Sequence, residues 1–186
     1  QTVFSANFAN GNFYPRLYST FDYGFQLPLR HSSIWLRSAA GFSTGAVDDS
    51  FANYYFGAFG NNWVDYNPQR RFREVYAFPG VDIDQVGGRN FGKVTAEWTL
   101  PPVFFRRVGL PTCYASWAGA TLFTGFLATN LDHAPERQEL ADVGAQLDVR
   151  FVVMSNMNFT LSFGYARAFQ RHGSPADEWM VSLRIH

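Results

Sequence analysis

Few residues of this 186-residue chain have the types and spacing to do chemistry. Lys93 and Glu97 stand four apart in "GKVTAEWTL", Asp142, Asp148 and Arg150 follow in "ADVGAQLDVR", and Arg184 lies near the end in "WMVSLRIH". Carboxylates and cations gathered on one surface could line a polar pathway, or they could neutralise one another as a paired network. Covalent catalysis would need a nucleophile beside a base. His31, His133 and His172 fall in turn segments and His186 is terminal. None has Ser or Asp at a telling spacing, so no catalytic residue is assigned. No metal or cofactor is expected either. Asp132-His133 offers two ligands, which do not make a site, and Asp48-Asp49, Asp82 and Asp84 lack the oxygen spacing of a calcium loop. Gly87-Gly88 is not followed by Gly-Lys-Ser/Thr, so it is no phosphate loop. The lone Cys113 excludes an internal disulfide. Arg70, Arg71 and Arg73, with Arg106-Arg107, flank strands and read as rim charges or as a grip on phosphorylated lipid headgroups.

The elements that must position these charges show a period of two. In residues 143–154, "VGAQLDVRFVVM", the set Val143, Ala145, Leu147, Val149, Phe151 and Val153 is apolar, while Gly144, Gln146, Asp148 and Arg150 are small or polar. The same alternation runs through "STFDYGFQL" (19–27), "GKVTAEWTL" (92–100), "MNFTLSFGY" (157–165) and "WMVSLRIH" (179–186). A strand with one face dry and the other wet gives this pattern, and no segment shows a helical period as clearly. Turn residues, including "PLRHSS" (28–33) and "LPPVFFRRVGLP" (100–111), separate about ten strands, several longer than the usual five or six residues. Nothing marks an internal boundary, so residues 1–186 read as one all-β domain. The longer loops at 61–71 and 80–88 are assigned to different connections. The chain starts at Gln1, without an initiator Met, and reads as a processed product or a piece of something longer.

Two media could lie against the apolar faces: the core of a soluble sandwich, or lipid. Aromatic residues make up 18% of the chain and charged residues only 16%, below the roughly 25% charged usual for soluble domains. The polar sets are rich in Gly, Ser, Thr, Asn and Gln rather than Lys and Glu; Lys93 is the only lysine. Aromatics gather near strand ends, at Tyr54-Tyr55-Phe56, Trp98, Phe104-Phe105 and Trp179, where an interfacial girdle would put them. These features favour lipid. A membrane helix is excluded because no apolar run approaches about 18 residues. Net charge is zero with a pI near 7.1, so no electrostatic signal points to nucleic acid.

The stretch 56–107, "FGAFGNNWVDYNPQRRFREVYAFPGVDIDQVGGRNFGKVTAEWTLPPVFFRR", resembles the C-terminal barrel region of the bacterial surface antigen superfamily, the outer-membrane assembly and secretion barrels. The branch it looks most like carries such a barrel after a TolB-type periplasmic propeller. In that family a long extracellular loop bears an Arg-Gly-aromatic motif, followed by Gly-Gly-Arg and a strand with a lumen carboxylate. Here Pro79-Gly80-Val81, then Gly87-Gly88-Arg89, then Glu97 stand in those places. Five strand segments follow, beginning near 89, 111, 139, 156 and 178, as the family implies. Pro79 replaces the family's loop arginine, so the family's clamp between loop and wall is not expected. The final strand ends Arg184-Ile185-His186 rather than in Phe.

The expected fold is an antiparallel transmembrane β-barrel of about ten strands in this chain, closed by itself or part of a larger barrel of about sixteen. Lys93, Glu97, Asp142, Asp148, Arg150 and Arg184 would line its lumen. The resemblance implies a bacterial outer-membrane location, contact with lipid, protein chains that complete the wall, and a non-catalytic role as membrane anchor and assembly or secretion element. Two alternatives stay open: a purely structural subunit of a larger outer-membrane complex, and a soluble β-sandwich that binds carbohydrate through exposed aromatics.

Overall fold

The computed structural model of the chain describes residues 1–9, 12–45, 49–59, 64–65, 70–154, 157–171 and 173–185. It is all-β. The strands are β1 (Thr2–Ala9), β2 (Asn12–Gln26), β3 (Ser33–Ser43), β4 (Tyr54–Phe56), β5 (Val64–Asp65), β6 (Val86–Gly88), β7 (Asn90–Thr99), β8 (Val103–Leu110), β9 (Cys113–Thr129), β10 (Gln138–Val153), β11 (Met157–Gln170) and β12 (Ala176–Ile185). Ten of them form one sheet in the order β1-β2-β3-β7-β9-β10-β11-β12-β5, with β8 also on β9; β4 and β6 make a separate pair. Every long ladder is antiparallel. Among the described residues, no helix is long and apolar enough to cross a membrane.

The alternation has an inverted outcome. Along β10 the polar set is buried, with Asp142, Gln146 and Asp148 all at 5% exposure or less, while Val143 and Leu147 are exposed. On β11 and β12, Thr160, Ser162 and Ser182 are buried, whereas Phe163, Trp179 and Val181 are exposed. A sheet of a water-soluble protein places these two sets the other way round. Glycines help the polar face to close. Gly24 lies under the Trp35 ring and Gly144 under the Phe123 ring, where a Cβ would come within 2.6 and 2.3 Å respectively.

One long connection, from Thr44 to Arg89, links β3 and β7, and its described residues 54–59 and 70–88 pack into the polar face. The segments 61–71 and 80–88 both belong to it, so the assignment to separate connections is corrected. Within it β4 pairs with β6, Ala58 bridges Phe78, and the Ala58 N–H donates to the Val81 carbonyl at 3.0 Å. Tyr54, Phe56, Phe78, Val81 and Val86 bury themselves against Phe91, Leu127, Leu140 and Ala168 of the wall. Tyr54 and Phe56 thus lie in the interior core and not in a girdle. Trp98, Phe104 and Trp179 are exposed.

The sheet is not closed into a barrel, which corrects the expectation only in its first form, a wall that this chain closes by itself. β1 ends the order on one side, and on the other β12 carries only β5, in parallel, at Leu183–Arg184. The reason is spatial. A barrel of about eight strands has room only for its own side chains, whereas this sheet holds a folded segment against one face and curves around it from β2 to β12.

Residues 100–111 are not a simple turn either. Pro101-Pro102 interrupts the ladder because proline has no N–H to donate. The chain then resumes as β8 along the same edge of β9, pairing Val103 with Ala118 and Leu110 with Cys113. The turns at 27–32 and 111–112, with Met154 after β10, lie on one rim. The connections 44–89, 130–137 and 171–175 lie on the other.

Candidate functional site: a charged segment in the polar face

Residues 70–82 run along the buried face and meet it strand by strand. Glu97 of β7 is fully buried and lies at the centre. Arg73 donates to both of its carboxylate oxygens, from Nε at 2.8 Å and from Nη2. Arg70 donates from Nη1 at 3.3 Å, and Arg37 of β3 from Nε at 3.4 Å. The second nitrogen of Arg70 reaches Asp148 of β10 at 3.0 Å, and Nη1 also contacts the Thr121 hydroxyl of β9. Arg37 completes the set through Asp22 of β2 at 2.8 Å. Three guanidinium groups thus face three carboxylates, and the cluster is neutral as a whole. This balance is what permits the Glu97 and Asp148 carboxylates to lie buried among cations, while Asp22 at the outer end of the set is half-exposed. Burial pushes the Arg70 guanidinium below its ordinary range, and Asp148 opposes that shift.

Apolar and backbone contacts fix the rest. Phe72, in the 3-10 turn Arg71–Arg73, stacks on Phe123 with centroids 4.3 Å apart. Lys93 is buried, and its ammonium donates to the carbonyls of Glu74 at 2.9 Å, Val75 at 3.1 Å and Ala77. Glu178 of β12 accepts the N–H of Phe59 and that of Gly80, each at 2.9 Å. Gly80 has φ +94, and a Cβ there would stand 2.5 Å from the Ala168 nitrogen. Only glycine combines that dihedral with so close an approach to β11. At the long-connection rim, Arg89 pairs with Asp132 and donates to the Gly45 carbonyl at 3.0 Å. Hydrogen bonds from Arg89 and from Asn90 hold the Asp132 carboxyl below its usual range. Tyr54 donates to the carbonyls of Leu17 and Phe42, both at 3.1 Å, and burial, with Tyr76 nearby, pushes its phenol up to about 12.

Of the residues singled out from the sequence, Lys93, Glu97, Asp142 and Asp148 share the buried face, and the first, second and fourth grip or meet the inserted segment. Asp142 is buried opposite Gly125 and Ala168. Arg150 and Arg184 lie on the same face nearer the short-turn rim, half-buried and outside the cluster. Gly80 touches the wall. Pro79 precedes it, and Gly87-Gly88 lie in β6, where Gly88 packs on Thr129. Pro79 carries no side-chain cation for the family's clamp; Arg70 and Arg73, from positions before it, tie the segment to the wall. Their reading as rim charges or headgroup ligands is corrected by these contacts. Arg37, Asp22, Thr121 and Glu178 had drawn no attention in the sequence. The signal available was the density of three arginines around Phe72 in a chain poor in charge. Asp82 and Asp84 sit in a turn that Gln85 closes by donating to the Asp82 carbonyl at 3.2 Å. Asp48, His172 and His186 lie outside the described residues.

The arrangement can hold a segment in place, plug a polar concavity and stabilise charge without water. No family model, curated protein or solved structure matches the chain, so the reading of this site rests on its own geometry.

Proposed function

We propose that this chain is a sector of an outer-membrane β-barrel wall of the surface-antigen type, a membrane anchor and non-catalytic element in protein assembly or secretion. The observation that supports it best is the reversed polarity of the sheet, buried polar rows backed by exposed Phe, Leu, Val and Trp. An unfilled apolar face this broad needs lipid or another protein against it. The flanks of β1 and β12 need strands too, because an open edge is not tolerated in hydrocarbon. Another segment or a partner chain completes the wall. The rim with the long connection faces outward and the short-turn rim faces the periplasm, as is usual for such barrels. Assembly or secretion as the activity comes from the resemblance of residues 56–107 to that superfamily.

The tight seating of residues 70–82 favours one other reading in the same class, a structural subunit whose lumen stays shut. A folding assay on an unfolded outer-membrane client separates the two: acceleration supports the assembly role, and no effect supports the structural one. The membrane reading itself is tested by gel mobility in SDS, boiled and unboiled, after folding into detergent and separately in plain buffer. No native fold in plain buffer is the expected result, and faster migration of the unboiled detergent sample would mean that this chain also closes a wall by itself. A native fold in buffer alone would overturn it.

A further inference from the structure

Beyond the packed segment, toward the short-turn rim, the polar face carries one more cross-strand row. It runs Arg184, Thr160, Arg150, Trp117 and Phe104, from β12 through β8. Trp117 stays on this face because its ring lies over Gly119, where a Cβ would be 3.0 Å away. Phe104, beside it, is 68% exposed. Among the described residues the Arg150 side chain makes no hydrogen bond or ion pair. The carboxylate two residues before it, Asp148, is committed to Arg70, Gln146 and Ser162, the last two at 2.7 Å. The row therefore offers an uncommitted guanidinium fork at its middle and open aromatic faces at one end. Those are the complements of a carboxylate and of an aromatic ring.

From this row we infer a docking ledge for an extended polypeptide segment that brings a carboxylate to Arg150 and an aromatic side chain to Trp117 and Phe104. The inference rests on the assembly or secretion reading, which delivers such segments from the short-turn side. Size favours a polypeptide over a small anion. Five strands about 4.8 Å apart span roughly 20 Å, the reach of about six extended residues. A free anion would use Arg150 and leave the aromatic end idle. The edge of β8 is not the recognition element. It is interrupted by Pro101-Pro102 and by the irregular pairing between Phe104 and Val108, devices that discourage strand addition.

The test uses the full chain, folded in whichever medium holds it, micelle or buffer, and calorimetric titration with two hexapeptides. Both contain Phe; one carries Asp two residues away, and the other carries Asn there. The Asp peptide should bind, and the Asn peptide and inorganic phosphate should bind at least about tenfold more weakly. Arg150→Gln should weaken the Asp peptide by about tenfold, Trp117→Leu should weaken both peptides, and Arg150→Lys should keep most of the affinity. Unboiled gel mobility checks that each variant folds. Absent binding to the folded chain, equal binding of the two peptides, phosphate binding as well as the Asp peptide, or an unchanged affinity in Arg150→Gln overturns the ledge. Folding in plain buffer would instead overturn the membrane reading, so the two failures are read on separate axes.

Discussion

Glu97 is reached by Arg37, Arg70 and Arg73 together, so its carboxylate is the one charge on which all three depend. Glu97→Gln removes that charge and leaves cations in a closed space. The expected loss is about 3 kcal/mol, from the cost of breaking one side of a buried pair, read by urea unfolding in detergent. Gly80→Ala should cost about 1–3 kcal/mol through its left-handed backbone and the contact with β11, and Gly87→Ala clearly less. Asp132 supplies a pH dependence. Its carboxyl is depressed in the folded chain, so its contribution is present above the unfolded value of about 3.9 and is lost as pH falls through the lower folded value. The stability gap between the native chain and Asp132→Asn should therefore close on acidification below about pH 4. Tyr54 acts at the alkaline end. Its raised phenol contributes fully below about pH 10, the unfolded value, and the contribution is lost as pH rises toward about 12. Tyr54→Phe should flatten that alkaline fall while losing about 1 kcal/mol at neutral pH.

Strands were legible where the two faces differ strongly in character. β10, β11 and β12 alternate large apolar with polar residues, and their positions in the sequence match their ladders closely. β9 was harder to read, because "CYASWAGATLF" places Ala and Gly on both faces and a bulge between Arg150 and Phe151 on β10 shifts its register. Pro101-Pro102 looked like a turn because proline ends pairing, and nothing local says that the chain resumes along the same neighbour. The inward charges Lys93, Glu97 and Asp148 were readable, since period two is a local property. The partners of the two carboxylates, Arg70 and Arg73, were not, because they come from an aperiodic connection; both meet Glu97 of β7, and Arg70 also meets Asp148 of β10 more than 70 residues away in the chain. The outward face gives the test that belongs to this scale. Leu147→Arg in a lipid-embedded wall should cost about 2–4 kcal/mol, whereas in water the exposed site would tolerate it; refolding yields into vesicles of two thicknesses measure the difference.

At the scale of the molecule, a curved sheet surrounds a segment of itself, and the two flanks remain available. Closure was beyond reach of the sequence, because strand number and contents must be known together before a radius follows. On the proposed reading, in which further strands complete the wall, the charge cluster fills the concavity, and in a planar bilayer the chain should conduct little. Arg70→Ala combined with Arg73→Ala frees the segment from Glu97 and Asp148, and conductance should then rise severalfold. An unchanged conductance would mean that the Phe72 and Lys93 contacts hold the segment unaided.

Lys93 has a further use that follows from its isolation. It is the sole lysine of the chain, and its amine is sealed beneath the carbonyls of Glu74, Val75 and Ala77. Amine acylation of the folded protein therefore has this one side-chain nitrogen as its target. It reacts only when residues 74–77 lift away. The fraction of chain acylated at Lys93, followed by peptide mass over time, is a built-in clock for how often the segment leaves its seat.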